Sequence, residues 1–164
     1  MRRNKLAAIG TVIAAAAMLW VTGAPAQAQD SIKIGWAISK TGPFAAGAGV
    51  TTLPNYQVWV KDVNDAGGIN VGGKKLKIEV IEYEDRSNSE EMIKAVERLA
   101  TQDKVDFILP PWSTGMNLAA APIFNKLGYP QLAVTANTNE AVELTKRWPN
   151  LTFWLGLPSE IVDG

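Results

Sequence analysis

The sequence has 164 residues, of which 16 are basic and 16 acidic, and it contains neither cysteine nor histidine. The absence of cysteine excludes disulfides, thiolate metal sites and cysteine nucleophiles, and the absence of histidine removes the commonest general base and metal ligand. Serine-triad and zinc hydrolases are thereby excluded. We expect no metal, no cofactor and no catalytic residues, since an enzyme would have to rely on carboxylates, lysine or tyrosine alone.

Residues 1–28 have the three parts of a cleavable secretory signal peptide. A basic start at residues 2–5 precedes an apolar run at residues 6–21 and an Ala-x-Ala cleavage site at residues 26–28. The alternative is a membrane anchor, but the run of 16 residues is shorter than the roughly 20 that cross a bilayer core. We therefore predict export, with cleavage after residue 28 and no membrane anchor in the mature chain.

The remaining residues, 29–164, have the length of one domain. Cleavage removes three basic residues and leaves a mildly acidic chain, without the basic stripe that is typical of nucleic-acid-binding proteins. No second apolar run approaches membrane length. We therefore expect neither a nucleic acid nor a membrane as a partner of the mature chain.

Strand and helix patterns alternate along the mature chain. Apolar side chains at every second position predict strands at residues 32–38 and 76–80, and apolar runs predict further strands at 105–109, 131–134 and 151–154. Between them, apolar residues recur at helical spacing. The three predicted helical faces are Leu53, Tyr56, Val60 and Val63, then Met92, Val96 and Leu99, then Leu118, Ile123 and Leu127.

The starts of two helices carry capping signals. Thr52 is a candidate N-cap of the first helix, and Ser87 begins a capping box that ends at Glu90 before the second. Strands that alternate with helices in this way predict an α/β fold, in which a parallel sheet lies in a three-layer arrangement between helices on both faces. Such sheets bind ligands at the carboxyl ends of their strands.

The loop at residues 110–115 joins a buried strand to a helix and contains Trp112, Ser113 and Thr114. Hydroxyls and N–H groups at a helix start favour a bound carboxylate, and Trp112 could form an apolar wall. The alternative is plain N-capping by Ser113 or Thr114, which uses the same groups. The spacing alone leaves both interpretations open.

Two further loops follow predicted strands at the same edge. Residues 39–49 follow the first strand, and residues 135–139 follow the fourth. The second loop is rich in Thr and Asn, which also form ordinary turns. Because both polar loops, 110–115 and 135–139, meet at one edge of the sheet, we expect them to form a common site.

Two other motifs indicate weaker possibilities. Residues 68–75 nearly match a phosphate-binding loop, but the final Ser or Thr is replaced by Lys75, and the motif follows a helix instead of a strand. A Gly-rich turn is the better interpretation. Glu82, Glu84 and Asp85 could be catalytic carboxylates, although such residues are more often solvated strand ends and caps.

Seven motifs in order resemble the periplasmic substrate-binding proteins of ABC transporters, in the branched-chain (Leu/Ile/Val) amino-acid receptor family. The resemblance extends from about residue 30 to residue 164. The motifs are IKIG at 32–35, TGPF at 41–44, NDAGGI at 64–69, EDRS at 84–87, PWSTG at 111–115, LAAAP at 118–122 and PSE at 158–160.

The resemblance implies a type I periplasmic binding protein, with two α/β lobes that close on a small-molecule ligand. Ser113 or Thr114 would bind the ligand's carboxylate, Thr138 would add a hydroxyl, Ala136 a backbone group and Trp112 a pocket wall. The receptor would be a periplasmic monomer that delivers its ligand, such as an amino acid, to an inner-membrane ABC permease.

Two departures from the family pattern bear on this interpretation. Many relatives have an aromatic residue where Gly47 lies, so we expect a more open pocket and a ligand such as an aromatic acid or an amide. Family members are also more than twice as long. Residues 29–164 would therefore be part of the N-terminal lobe, with the second lobe incomplete and half a binding site.

Two alternatives to a transport receptor remain at this point. The first is a secreted flavodoxin-like enzyme, because parallel sheets support many reactions. The second is a sensory domain with the same receptor fold. The lack of histidine and cysteine disfavours the enzyme, whereas a fused membrane or kinase segment would favour the sensor.

Overall fold

The computed structural model of the protein describes residues 30–155 and 157–159, and the predicted signal peptide lies outside them. Among these described residues, no helix is both long enough and apolar enough to cross a bilayer. The elements are β1 (Ser31–Ile38), α1 (Ala45–Thr51), α2 (Leu53–Asp65), β2 (Ile69–Val71), β3 (Lys74–Glu84), α3 (Ser89–Thr101), β4 (Phe107–Leu109), α4 (Thr114–Leu127), β5 (Gln131–Ala133), α5 (Ala141–Arg147) and β6 (Leu151–Phe153).

The main sheet has four strands in the order β2-β3-β1-β4. The central strand, β1, runs parallel to β3 and β4, and its Ile34 lies opposite Val80 on one side and Phe107 on the other. β5 and β6 form a separate parallel pair. The predicted α/β fold is confirmed, but the main sheet is mixed because β2 pairs antiparallel to β3.

The antiparallel pair explains the segment that resembles a phosphate-binding loop. Gly72 and Gly73 form the two-residue turn of the β2-β3 hairpin, with φ of 58° and 89°. Such turns favour glycine because both central residues need positive φ. The chain enters the hairpin at Gly68, where an added Cβ would lie 2.2 Å from the carbonyl oxygen of Leu76. The sequence predicted a Gly-rich turn here but not the strand β2.

β1 contributes alternate residues to two apolar cores. Ile34, Trp36 and Ile38 pack against α2, whereas Ala37 lies in the core formed with α3 and α4. Gly35 also faces α3, since a Cβ at this position would lie 2.5 Å from Cδ2 of Leu99. Helices therefore cover both faces of the sheet, as the predicted three-layer arrangement requires.

The predicted face is buried in α3 and packs, partly buried, against the core in α2, whereas α4 buries a different face. Met92, Val96 and Leu99 of α3 are buried, whereas the three predicted core residues of α4 are only partly buried. α4 instead buries a different face, in which two alanines lie between larger side chains, and it packs on α3 and β5. That buried face is Met116, Asn117, Ala120, Ala121 and Phe124.

The N-cap of α3 is Asn88 and not Ser87. The Asn88 side chain accepts hydrogen bonds from the N–H groups of Glu90 and Glu91, at 2.8 and 3.1 Å. Ser87 has a positive φ of 59°, and its hydroxyl donates to the carbonyl of Thr41. The predicted cap was therefore wrong by one residue, because Ser87 is used to hold the loop after β1.

Two of the carboxylates considered as catalytic candidates hold the same loop. Glu82 accepts a hydrogen bond from the indole N–H of Trp36 at 2.7 Å and pairs with Lys40. Glu84 accepts a hydrogen bond from the hydroxyl of Thr41 at 2.5 Å. Both side chains thus have structural partners at the carboxyl ends of β1 and β3.

The third candidate, Asp85, is fully buried. Its Oδ1 accepts hydrogen bonds from the hydroxyl of Ser39 at 2.5 Å and from the N–H of Ser87 at 2.8 Å. Its Oδ2 has no partner within the described part of the chain. Burial raises the pKa of the Asp85 carboxyl above its usual value, and the two hydrogen bonds offset part of this effect.

Replacement of this carboxyl should therefore change how stability depends on pH. The folded protein holds the Asp85 proton more tightly than the unfolded chain, so ionisation costs stability as the pH rises above about 4. We expect the free energy of unfolding of the wild type, relative to Asp85→Asn, to fall from about pH 4 through the raised pKa and then level off. Urea denaturation between about pH 3.5 and 7.5 measures this difference. Asp62→Asn, on the exposed side of α2, controls for the loss of one carboxylate, and a difference that rises with pH would contradict the expectation.

Candidate ligand-binding site

The start of α4 is built around an unusual backbone conformation at Ser113. This residue is the N-cap, and its hydroxyl oxygen accepts a hydrogen bond from the N–H of Met116 at 3.2 Å. Its φ of 82° and ψ of 154° lie in a region that is occupied almost only by glycine. Strained residues of this kind occur at ligand-binding sites when their surroundings hold them in place.

The first two N–H groups of α4, those of Thr114 and Gly115, have no acceptor among the residues that the structure describes. We call these two groups the α4 amide pair. The hydroxyl hydrogen of Ser113 is likewise not donated to any described atom. Because the start of a helix also carries the positive end of its dipole, these three donors favour a bound anion such as a carboxylate.

Hydrogen bonds join the loop before α4 to the loop after β5. The N–H of Ser113 donates to the hydroxyl of Thr135 at 3.2 Å. The hydroxyl of Thr114 accepts a hydrogen bond from the N–H of Asn137 at 3.0 Å and lies 3.4 Å from its carbonyl oxygen. The structure therefore brings together the two loops that the sequence placed at one edge of the sheet.

Asn117 lies beneath this junction and is fully buried. Its side-chain nitrogen donates to the carbonyl oxygens of Pro111 and Ser113, at 2.8 Å in each case, and lies 3.4 Å from the hydroxyl of Thr135. The buried side chain of Gln131 in turn donates to Asn117. This network holds Ser113 in its strained conformation and ties α4 to both loops.

The side chain of Trp112 is partly exposed. In the sequence, this residue directly precedes Ser113 and the α4 amide pair. Its indole N–H donates to the hydroxyl of Thr51 at 2.8 Å, and its ring centre lies 5.6 Å from that of Phe44. The ring fills the space next to Gly47, where an added Cβ would lie 2.2 Å from Cζ2 of Trp112. The open space that we expected at Gly47 is therefore occupied by Trp112.

Ala136 and Thr138 lie in the same loop as Thr135, but neither side chain contacts the start of α4 through a hydrogen bond among the described residues. The Ala136 side chain is fully buried in an apolar cluster, so only its backbone could reach a ligand. The Thr138 hydroxyl accepts a hydrogen bond from the N–H of Glu140 at 3.2 Å. No hydrogen bond within the described part of the chain joins Thr138 to Ser113 or Thr114. Their roles in binding remain predictions.

A cavity of about 480 Å³ adjoins the two joined loops. It contains Thr51, the partner of Trp112, and Thr135, the partner of Ser113, so it lies next to both walls of the candidate site. Trp154, which is largely exposed, also lines it. The lining residues are Thr51, Thr52, Asn55, Tyr56, Val134, Thr135, Trp154 and Leu155.

A second cavity, of about 350 Å³, lies on the α2 side of the sheet. Its lining is almost entirely apolar and includes Ile34, Phe107 and Leu132, and the indole of Trp59 is the one lining side chain with a hydrogen-bond donor. The cavity offers no charged side chain and no cluster of donors to bind a carboxylate. Nor does the described part of the chain contain a group of three or more acidic side chains that could hold a metal ion.

Sequence reasoning missed Asn117, Gln131 and Thr51. Asn117 is four residues after Ser113 on a helix whose other buried residues are apolar, and this isolated polar residue was the available signal. Gln131 lies in a predicted strand, and Thr51 lies next to a predicted helix start. Their partners are distant in sequence, so no local pattern indicated them.

A sequence model of the family described as periplasmic binding protein matches residues 31–160. The chain belongs to this family. Among curated members, the Leu/Ile/Val-binding protein homolog 1 of Brucella abortus is 26% identical over 133 residues, which cover 81% of this chain and 34% of that protein.

Solved structures of periplasmic binding proteins have the same fold. The branched-chain amino-acid binding protein LivJ of Streptococcus pneumoniae, in complex with isoleucine, is 31% identical with a TM-score of 0.65, and the match covers 75% of this chain and 33% of LivJ. A solute-binding protein of Rhodopseudomonas palustris, in complex with 3,4-dihydroxybenzoic acid, is 26% identical with a TM-score of 0.59, and the match covers 76% and 32%. This chain thus spans about a third of the length of these periplasmic binding proteins.

Truncation of the Asn117 side chain should destabilise the domain. Asn117→Ala removes the 2.8 Å hydrogen bond to the carbonyl of Pro111, at a cost of about 1–3 kcal/mol for a buried group that loses its main partner, whereas the carbonyl of Ser113 keeps the backbone N–H of residue 117 as a donor at 3.1 Å. Urea denaturation should therefore show a free energy of unfolding lower by about 1–3 kcal/mol. Asn125→Ala is the matched control, because its side chain is on the same helix and makes no hydrogen bond with the described residues. Equal losses in the two variants would show that the network has no special role.

Proposed function

We propose that this chain belongs to an extracytoplasmic solute receptor, and that its α4 junction binds the carboxylate of a small ligand, an amino acid or a related acid. The complete receptor would deliver this ligand to an inner-membrane ABC permease. The observation that carries the proposal is the junction itself, where three donors that no described residue uses lie together at the start of a 14-residue helix.

The donors can be given separate roles. The hydroxyl of Thr114 already contacts Asn137 as acceptor and as a distant donor, whereas the hydrogen of the Ser113 hydroxyl is unused by the described residues. We therefore propose Ser113, with the α4 amide pair, as the carboxylate-binding group. Thr114 instead holds the two loops together, Thr138 adds a hydroxyl, and the carbonyl of Ala136 is available for an ammonium group.

The family supports the receptor over an enzyme or a sensor. LivJ and the R. palustris protein are substrate-binding or solute-binding proteins of transporters. The ligands in those two complexes, isoleucine and 3,4-dihydroxybenzoic acid, both carry a carboxyl group. The signal peptide that the sequence predicts at residues 1–28 supports a periplasmic location.

Ligand-induced stabilisation tests the proposed function on the protein purified at its full natural length. Leucine, phenylalanine and 4-hydroxybenzoate should be compared with leucinamide, phenylalaninamide and 4-hydroxybenzamide in a thermal-shift assay. At least one acid should raise the Tm, because a ligand at 100 times its Kd adds about 2.7 kcal/mol to the stability. The matching amide should not, since it lacks the charge that the α4 junction binds. Stabilisation by an amide as large as that by its acid would contradict the proposal.

Ser113→Gly separates binding from stability. Glycine adopts the backbone angles of Ser113 without strain, so the stability should be unchanged or higher. The variant lacks the hydroxyl donor, and the affinity for the stabilising acid should fall about 10- to 100-fold, as expected for a hydrogen bond to a charged group. Isothermal titration calorimetry measures this change. Asn88→Gly, at the N-cap of α3, is the control, and a similar loss of affinity in both variants would exclude a direct role for Ser113.

A further inference from the structure

The indole ring of Trp112 occupies the space that a side chain at position 47 would need. A Cβ at Gly47 would lie 2.2 Å from Cζ2, 2.5 Å from Cη2 and 2.8 Å from Cε2 of the Trp112 indole. Any side chain at position 47 would therefore displace this ring. By contrast, a Cβ at Gly49, two residues later on the same helix, meets no atom within 4 Å.

Two further contacts fix the indole against α1. Its N–H donates to the hydroxyl of Thr51 at 2.8 Å, and Phe44 packs against it at an interplanar angle of 53°. Thr51 is itself held, since its hydroxyl donates to the carbonyl of Gly47 at 2.8 Å. The indole thus contacts both Gly47 and Thr51, and these two residues are hydrogen-bonded to each other. The ring can occupy this position because Gly47 has no side chain.

The Trp112 ring lies near the proposed carboxylate-binding group. Trp112 directly precedes Ser113 in the chain, and Thr51, which binds the indole, also lines the cavity of about 480 Å³ beside Thr135. The ring of Trp112 is thus held one residue before the proposed carboxylate-binding group and against a residue that lines this cavity, so a ligand whose carboxylate is bound at the α4 junction would lie near it. Flat rings make larger and more favourable contacts with an aromatic ring than branched aliphatic groups do.

We infer that Gly47 is a specificity-determining position. Because Gly47 has no side chain, the Trp112 ring lies beside the α4 junction. The site therefore selects carboxylates that bear a planar ring over carboxylates that bear a branched aliphatic group. The ligand class rests on the proposed function. The ring could belong to an aromatic amino acid or to a simple aromatic acid, and both share this chemistry. Gly47 acts through Trp112 and is a positioning residue.

The placement of the ring can be tested without any ligand. In the protein labelled with ¹⁵N-tryptophan, the indole N–H signal of Trp112 is identified by its loss in Trp112→Leu. Gly47→Ala should shift this signal and speed its exchange with solvent, because the ring leaves Gly47 and Thr51. Gly49→Ala should leave the signal in place. An unchanged Trp112 signal in Gly47→Ala would overturn the inference, whatever the protein binds.

Calorimetry with 4-hydroxybenzoate, phenylalanine and isoleucine tests the selectivity. We expect at least one of the two ring-bearing acids to bind the wild type about two- to tenfold more tightly than isoleucine. Gly47→Ala and Trp112→Leu should each remove this preference, while Gly49→Ala keeps it. The double variant Gly47→Ala/Trp112→Leu should show no further loss beyond Trp112→Leu, because both changes act on the same ring.

The outcomes separate the two proposals. If the wild type binds isoleucine as tightly as both ring-bearing acids, or if Gly47→Ala keeps the preference, the inference fails and the receptor function stands. If none of the three acids binds, the proposed ligand class fails together with the receptor function. A preference for 4-hydroxybenzoate over phenylalanine, or the reverse, identifies which source of the ring the site accepts.

Discussion

The side-chain amide of Asn117 holds the carboxyl end of β4 in a conformation that the backbone would not adopt by itself. It donates to the carbonyl groups of Pro111 and Ser113, and these bonds fix the peptide group before Trp112 and the peptide group after Ser113. Ser113 can then keep its positive φ, which directs its N–H to Thr135 and leaves the α4 amide pair open. The candidate site thus depends on a buried residue that no ligand would touch.

The same edge of the sheet is stabilised by a second buried polar group, on the other side of β1. Asp85, in the loop after β3, accepts a hydrogen bond from Ser39 in the loop after β1 and so joins the two loops. The loop after β1 leads into α1, which carries Gly47 and Thr51. Both walls of the candidate site are therefore fixed by hydrogen bonds in the interior. Loops held in this way lose little further entropy when a ligand binds, which favours affinity.

The sequence predicted those parts of the fold that depend on local patterns. The alternation at residues 32–38 and the apolar face of α3 identified the central strand and a core helix. The sheet-edge rule predicted that the loops of Ser113 and Thr135 meet, although β5 pairs with β6 outside the main sheet. It did not predict β2, the N-cap at Asn88 or the buried face of α4. The relation of Gly47 to Trp112 also escaped it, since it joins residues 65 positions apart and depends on a side chain that is absent.

The hairpin turn at Gly72 and Gly73 has a practical consequence. It lies at the beginning of β3, whereas the candidate site is at the carboxyl ends of the strands, so the sheet separates the two. A Cβ at either glycine would meet no atom within 4 Å. Exposed loop tips of this kind tolerate insertions well. A dye, an affinity tag or a surface linker placed there would leave the opposite edge of the sheet free, which makes this turn a suitable attachment point for a biosensor built on this domain.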